Sequence, residues 1–180
     1  MKQKLVTKFR WFWAWEDEKE ETWLADMAGK GLHLESISPF GIYHFQQGEP
    51  ANIVYRLDFH ILKNQDKESY LQLFEDAGWE HVGDLSSWVY FRRPVNGSQF
   101  PEIFSDQESK IDKYRRMIVY LAIFLPIMVI SIPSIYRTDY FGPAASTILE
   151  TLGTLLLLLF ASAMVMLIRR ITQLKKQSEG

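Results

Sequence analysis

The side chains that most often carry catalysis are few and scattered in this chain. It has no cysteine, which excludes disulfides, thiolate catalysis and cysteine-ligated metals. No glycine-rich phosphate loop or GxSxG motif occurs. The histidines lie in strand-like segments and lack the HxxxH or HExxH spacing of a helical metal site. They are His33, His44, His60 and His81. We therefore predict a non-enzymatic protein with no catalytic residue, metal site or cofactor.

Acidic residues are abundant, but they are grouped in runs such as Glu16 to Glu21. A run of this kind usually forms the solvated face of a helix, so we expect these carboxylates to be exposed. The formal net charge is −2, and nucleic-acid binding requires a concentrated basic face. We therefore predict no nucleic-acid partner.

Tryptophan is the residue type whose abundance points to binding. The chain holds six tryptophans, all before residue 90, and large aromatic side chains either fill a core or line a ligand or partner pocket. Trp23 and Trp79 lie on or next to helical faces, which favours the core. Core and surface are equally supported for Trp11, Trp13 and Trp15. These three residues are the candidate partner or ligand surface.

Alternating strand-like and helical segments must position these side chains. Residues 16–31 have the pattern of an amphipathic helix that ends in glycine, with Trp23, Leu24 and Met27 on one side. Residues 66–78 form a second predicted helix. Strands are predicted over residues 5–13, 32–38, 41–47, 52–60, 79–85 and 87–94.

The two halves of this region match at an offset of about 47 residues, which is the size of one supersecondary unit. Each half is predicted to be β-α-β-β, in a tandem repeat. Two such halves predict an α+β domain with a largely antiparallel sheet and both helices on one face. Chance similarity between two helix-to-strand turns is the alternative. The matches are Glu21–Leu24 with Glu68–Leu71, Met27 with Phe74, Gly31 with Gly78, Leu32 with Trp79 and Val6 with Ile53.

Two long apolar segments follow this domain. Residues 117–135 contain no charge and carry Pro126 at mid-span, whereas residues 148–168 contain one acid, Glu150. About 20 residues cross a hydrocarbon core of roughly 30 Å, so these segments predict a transmembrane hairpin, with a proline kink in its first helix. Two buried helices of a soluble core are the alternative. We disfavour it because so small a chain does not cover two helices of this length.

Basic residues flank both predicted spans, whereas the connecting loop holds only Arg137. The positive-inside rule therefore predicts a multi-pass protein of the cell membrane with both termini in the cytosol. The topology determinants are Lys110, Lys113, Arg115 and Arg116 before the first span, and Arg169, Arg170, Lys175 and Lys176 after the second.

The predicted domain boundaries follow from these patterns. Residues 1–101 form a cytosolic domain, and residues 102–116 form a helical connector that begins at a capping box of Ser105 and Glu108. The connector is either a passive tether or a rod that transmits a change in the domain. After it come transmembrane helix 1 (117–135), an external loop (136–147), transmembrane helix 2 (148–168) and a cytosolic basic tail (169–180).

Several ordered blocks resemble a known family. They are FRWFWAWEDEKEETWLADMAGKGLHL, GEPANIVYRLDF, YLQLFEDAGWEHV, WVYFRRP and SKIDKYRR. Over about residues 8–116 the chain resembles a bacterial membrane-anchored family, the domain of unknown function 2812. The resemblance implies a cytosolic module with C-terminal spans, encoded beside PadR-type transcriptional regulators, and hence a regulated membrane or stress role. It assigns no catalytic residue.

These observations predict a membrane-anchored binding or regulatory module. Its cytosolic domain would bind a protein partner, either a regulator or a membrane protein, or a small apolar ligand, with the lipid bilayer as a further partner. The alternative is an accessory subunit of a transporter or other membrane complex that packs through the hairpin. An enzyme at the membrane surface is a third interpretation. Small residues of the second span, Gly153 and residues 161–163, favour packing against the first span over dimerisation. The sequence does not decide between a monomer and a homo-oligomer.

Overall fold

The computed structural model describes residues 4–61, 64–95, 101–103, 107–136 and 142–178, and of residues 64, 107, 128, 131–136, 143 and 178 it describes the backbone alone. The described residues form six strands and four helices in two compact units, residues 1–106 and 107–180. The elements of the first unit are β1 (Leu5–Phe9), α1 (Asp17–Ala28), β2 (Leu32–Ser38), β3 (Ile42–Gln47), β4 (Ile53–Phe59), α2 (Asn64–Asp76), β5 (Glu80–Leu85) and β6 (Trp88–Pro94). The expected mixture of helices with antiparallel strands is confirmed.

The described strands form two small antiparallel sheets, and the expectation of one continuous sheet is wrong. Sheet A has the order β1-β3-β2, and sheet B has the order β4-β6-β5. Each half of the unit runs β-α-β-β, as the repeat predicts, and the two strand orders are equivalent. The ladder is also interrupted at matching places, between Leu34 and Ser36 in β2 and between His81 and Gly83 in β5. A bulge at the same position in both sheets is a second similarity beyond element order.

The ends of α1 and α2 match as well. Gly31 and Gly78 follow these helices with φ angles of +76° and +82°, in the left-handed region that glycine adopts without strain. A Cβ atom at Gly31 would lie 2.3 Å from the carbonyl oxygen of Gly48. Shortly after each helix, the backbone conformation therefore requires a glycine, as the sequence match between these two positions predicts.

The match between Val6 and Ile53 is wrong by three residues. Val6 pairs with Phe45 in sheet A, and Arg56 pairs with Phe91 in sheet B. Because Phe45 and Phe91 occupy the same ladder position beside the bulges, Val6 corresponds to Arg56. The cause is the connection from β1 to α1, which is three residues longer than the connection from β4 to α2.

The two helices lie on opposite faces of sheet B, so the expectation of both helices on one face is wrong. Leu57 and Tyr90 pack in a cluster with α1, whereas Val54 and Phe91 pack in another cluster with Phe74 of α2. Successive residues of a strand point to opposite faces. Both faces of sheet B are therefore apolar, and each face is covered by a different helix.

Polar contacts join sheet A and α1 to sheet B. The Tyr55 hydroxyl accepts a hydrogen bond of 3.2 Å from the backbone nitrogen of Leu34 in the β2 bulge, and Arg92 Nη1 donates to the Leu34 carbonyl at 3.2 Å. The backbone nitrogen of Leu57 donates to Glu21 Oε1 at 2.9 Å. Side chains of each half thus form hydrogen bonds with backbone groups of the other half.

The second unit consists of α3 (Gln107–Tyr136) and α4 (Pro143–Ser178), which pack against each other. α3 is continuous from the predicted connector through Pro126, whereas Ser105 of the capping box and residues 137–141 of the loop lie outside the described residues. α4 begins before the predicted second span and continues through most of the basic tail. In the described part of the chain, one helix, Ala144–Gln177, is long and apolar enough to cross a membrane.

Candidate ligand-binding site

The loop between β1 and α1 carries the candidate surface, and backbone contacts hold it at both ends. The backbone nitrogen of Arg10 donates to the Gly41 carbonyl at 2.8 Å. A Cβ atom at Gly41, whose φ is +74°, would lie 2.4 Å from the Arg10 carbonyl oxygen. At the other end, Glu16 Oε2 accepts from the backbone nitrogen of Trp13 at 3.2 Å. The predicted strand over residues 5–13 therefore ends at Phe9, because its partner β3 begins at Ile42.

The aromatic side chains of this loop alternate in direction. Phe12 points into the core, where its ring centroid lies 5.7 Å from that of Trp23. Trp11 and Trp13 point outward, with 52% and 40% of their surface exposed. Their rings meet edge to face at 5.9 Å, and Trp15 stacks on Trp13 at 5.4 Å. The loop thus presents three tryptophans in one contiguous array.

A cavity of about 200 Å³ lies beside this array. Its exposed rim includes Trp11, Trp13 and Phe40, while its inner part includes the buried residues Tyr43 and Tyr90. The remaining lining residues are Phe12, Ala14, Asp17, Glu20, Gly41, Leu85 and Trp88. Both halves of the repeat contribute, since β3 and α1 come from the first half and β6 from the second. Aromatic walls with a few polar groups are typical of ligand-binding cavities.

Two carboxylates line the inner part of this cavity. Asp17 and Glu20, in the first turn of α1, are only 2% and 7% exposed. The hydroxyls of Tyr43 and Tyr90 donate to Glu20 Oε1 at 2.8 and 2.7 Å. Burial raises the pKa of the Glu20 carboxyl; the nearby charge of Asp17 adds to this effect, and the two tyrosine hydrogen bonds oppose it. Burial, followed by the charge of Glu20, also raises the pKa of both tyrosines.

The expectation that the acidic run is solvated is wrong for three of its members. Asp17, Glu20 and Glu21 are buried because α1 is covered on two sides, by sheet A and by sheet B. The burial of Glu20 could be predicted from the sequence, since Glu20, Leu24 and Met27 recur at the spacing of one helical face. The aromatic residues that Glu20 contacts come from distant strands, so spacing alone does not bring them together.

The sequence-predicted surface residues are partly brought together by the structure. Trp11 and Trp13 line the cavity, whereas Trp15 contacts it only through its stacking on Trp13. Trp23 and Trp79 are 8% and 3% exposed, and each lies in a core cluster, as predicted. Glu20, Tyr43, Tyr90 and Trp88 belong to the same site, but they are too far apart in the sequence for a local pattern to group them.

The histidines make local hydrogen bonds within the first unit. His44 bridges Thr7 and Ser38 on sheet A, at 3.2 and 3.1 Å, and His33 bonds the Glu49 carbonyl at 2.8 Å. His81 Nε2 lies 2.9 Å from Asp84 Oδ1. Burial favours the neutral form of Asp84, but hydrogen bonds from Lys67 and His81 outweigh it and lower the pKa of this carboxyl. Among the described residues, no group of three or more potential metal ligands occurs.

The residues predicted to determine the topology lie on α3 and α4. Most of those on α3 are exposed or half-buried, but Lys113 is buried, with its ammonium 5.1 Å from the centre of the Tyr114 ring. Gly153 in the second predicted span is buried, whereas Ala161 and Ser162 are exposed. The small residues of this span therefore do not form one uniformly covered stripe.

Comparison with known proteins places the chain in a family without assigning it an activity. A family model described as "Protein of unknown function (DUF2812)" matches residues 16–126. No curated protein and no solved structure gives a significant match. The matched segment includes Asp17, Glu20, Tyr43 and Tyr90 of the cavity, and begins just after Trp15. Since the match covers more than half of the 180 residues, the chain belongs to the DUF2812 family of proteins of unknown function.

Proposed function

We propose that this protein is a membrane-anchored, non-enzymatic binding or regulatory module whose N-terminal domain takes a small ligand in the cavity beside Trp11 and Trp13. The observation that carries the proposal is the cavity itself, with its exposed aromatic rim and its buried polar end. Trp11, Trp13 and Phe40 lie together at this rim, and a contiguous exposed apolar patch is typical of an interaction site. Phe40 is 78% exposed, and it adopts a positive φ of 65°, which is uncommon for a bulky residue.

The dimensions of the cavity favour a small ligand over a protein partner. Its volume of about 200 Å³ lies below the roughly 300–1,000 Å³ of cavities that hold drug-sized molecules. A ligand with one aromatic ring would fill such a space and stack against the rim tryptophans. A protein partner remains the competing occupant, through a single side chain inserted into the same cavity.

This proposal predicts that Trp13→Ala separates binding from stability. Trp13 is 40% exposed, so its loss should leave the melting temperature nearly unchanged. It should weaken ligand binding about tenfold, because an aromatic pair contributes about 0.5–1.5 kcal/mol beyond the area it buries. The measurement is thermal melting of the full chain in a neutral detergent, beside a titration with 2-phenylethanol followed by tryptophan fluorescence.

Leu73→Ala provides the matched control, because Leu73 is an exposed apolar residue of α2 outside the cavity lining. It should change neither melting nor titration. Loss of binding in Trp13→Ala in strict proportion to a lowered melting temperature would instead make Trp13 a structural residue only. The surface proposed from Trp11, Trp13 and Trp15 would then lose its support.

The anchoring element of the proposal is a hairpin of two spans, residues 117–135 and 148–168. α4 supports it through the run of leucines at residues 155–159, of which Leu155 and Leu158 are 57% and 62% exposed. A protein core would cover such side chains, whereas hydrocarbon solvates them. On α3, Val119, Ile123 and Ile127 are likewise more than half exposed. The lipid bilayer is the proposed partner of these faces.

The proposed topology places both termini in the cytosol, because basic residues cluster just before the first span and just after the second span. Reporter fusions after Phe104 and after Lys176 should therefore report the cytosol, and a fusion within residues 138–142 should report the outside. Each position is fused to two reporters, one that is active only outside the cell membrane and one that is active only in the cytosol. The measurement is the ratio of the two activities at each position. An outside signal from the Phe104 fusion would reverse the orientation and remove the N-terminal domain from the cytosol.

The alternative is an accessory subunit whose hairpin packs against a transporter or another membrane protein. The exposed apolar faces of α3 and α4 suit a protein neighbour as well as they suit lipid. Purification of the tagged chain from native membranes distinguishes the two proposals. Stoichiometric recovery of an integral membrane protein with a Trp13→Ala variant, as well as with the unaltered chain, would favour the accessory subunit.

A further inference from the structure

We propose that β1 docks the N-terminal domain on the headgroup region of a bilayer that contains anionic lipids. The docking surface consists of Leu5 and Phe9, together with the basic residues Lys4 and Lys8. Leu5 and Phe9 lie outside the cavity lining, so the inference goes beyond the proposed ligand site. It rests on the proposed membrane anchor.

One face of sheet A is uncovered at β1. Leu5 and Phe9 are 56% and 73% exposed, and they point away from α1, since the alternate residue Val6 packs in the cluster with α1. The register makes Leu5 and Phe9 the equivalents of Tyr55 and Phe59 in sheet B, which are 0% and 7% exposed. The same face is therefore covered in sheet B, and its apolar residues in β1 are left exposed in sheet A.

The apolar part of this face is only a narrow strip. Further into sheet A the face is polar, because His44 of β3 hydrogen-bonds to Thr7 and to Ser38, at 3.2 and 3.1 Å. A helix packed on a sheet requires an apolar face several strands wide. Because β1 is the edge strand of sheet A, a strip confined to it suits shallow insertion among lipid headgroups.

The charge beside the strip complements an anionic surface. Residues 1–15 contain four basic residues and no acid. Lys4 and Lys8 form no ion pair with the described part of the chain. They alternate with the apolar residues, and both sides of an edge strand border the same open edge. Flexible lysine stems reach lipid phosphates from there, and each basic residue at such a surface strengthens binding about fivefold. The acids of this region lie further off, Glu35 on β2 at the opposite edge of the sheet and Glu49 after β3.

The aromatic residues that follow β1 suit the same partner. Trp11 and Phe40 are 52% and 78% exposed and adjoin Phe9, since the backbone nitrogen of Arg10 bonds the carbonyl of Gly41. Large aromatic side chains prefer the interface between hydrocarbon and water. The proposed anchor would also tether the domain to the bilayer, and a contact within one chain requires little intrinsic affinity.

The test uses the absence of cysteine, because a dye on one introduced cysteine then reports one position. Full-length Phe9→Cys is labelled and placed, one chain per disc, in phosphatidylcholine nanodiscs with or without phosphatidylglycerol, and a lipid with a nitroxide headgroup is the quencher. We expect quenching of about twofold or more with phosphatidylglycerol, and the loss of most of it without this lipid or at high salt. Leu73→Cys is the matched control, since Leu73 of α2 is 66% exposed, and it should stay unquenched.

Lysine variants test the charge. Lys4→Gln combined with Lys8→Gln should remove most of the quenching of the Phe9 dye, whereas Lys4→Arg combined with Lys8→Arg should keep it. An unquenched Phe9 dye, or equal quenching in the two lipid compositions, would overturn the proposal. So would a dye whose emission changes only when two chains share a disc, which would assign the strand to a second copy.

A separate label distinguishes failure of this proposal from failure of the anchor. A dye at Leu158→Cys, in the second proposed span, should be quenched by a nitroxide on the lipid acyl chain. Quenching at Leu158 without quenching at Phe9 would overturn the docking of β1 and leave the anchor standing. Quenching at neither position would overturn both.

Discussion

Trp23→Ala is expected to lose about 3–5 kcal/mol of unfolding free energy, the usual cost of truncating a buried aromatic residue in a core. Trp23 is 8% exposed, and its ring centroid lies 4.8 Å from Tyr43 and 5.6 Å from Phe45. These contacts join α1 to sheet A. Since single domains are stable by only about 5–15 kcal/mol, this loss would remove a large share of the stability of the domain.

The measurement is urea-induced unfolding of the full chain in neutral detergent, followed by far-ultraviolet circular dichroism. Trp11→Ala is the matched control, because Trp11 is 52% exposed and its loss opens no core cavity. A midpoint for Trp23→Ala equal to that of Trp11→Ala would contradict the packing of α1 on sheet A.

Glu21→Ala is the second substitution with a large expected effect, a loss of about 3 kcal/mol. Glu21 Oε1 accepts the backbone N–H of Leu57 at 2.9 Å, and Oε2 lies 3.4 Å from Arg56 Nη1. The side chains of Glu21 and Arg56 are 10% and 16% exposed, so alanine would leave a buried donor and a buried charge without this partner. Glu102 also pairs with Arg56, at 2.7 Å, which keeps the loss at the lower end of the usual range.

Glu21→Gln separates the two contributions, since its amide oxygen still accepts from Leu57 while the ion pair is lost. It should fall between Glu21→Ala and the unaltered chain in the same unfolding experiment. Glu18→Ala, an exposed acid of α1, should stay within about 0.5 kcal/mol. If Glu21→Ala were as mild as Glu18→Ala, α1 would not be anchored to the edge of β4 through this carboxylate.

Local patterns were sufficient to predict most of the secondary structure. β2 occupies the predicted residues 32–38, and α1 and α2 lie within about two or three residues of their predicted limits. α3 extends without a break from the connector through Pro126. Trp23 and Trp79 are core residues, as their helical positions indicated. Each of these features depends on residues close in sequence, where period, caps and turn residues act directly.

The arrangement of sheets and helices depended on contacts between distant residues. The segments of β4 and β6 are apolar at successive positions, so both faces of sheet B require cover. Only the tertiary structure shows that α1 covers one face of sheet B and α2 covers the other. The short β1 has the same origin, because a strand extends only as far as its partner β3 allows.

The chain alone thus determined the helices, the strands, the repeated β-α-β-β order and the apolar C-terminal segments. The tertiary structure decided which acids are buried and which aromatics meet them. Glu16 and Glu20 are alike in sequence, yet the former stays near the surface with Lys19, 2.6 Å away, while the latter lies between Tyr43 and Tyr90. Burial is a property of everything packed around a residue, and for Glu20 that includes a strand 70 positions further along the chain.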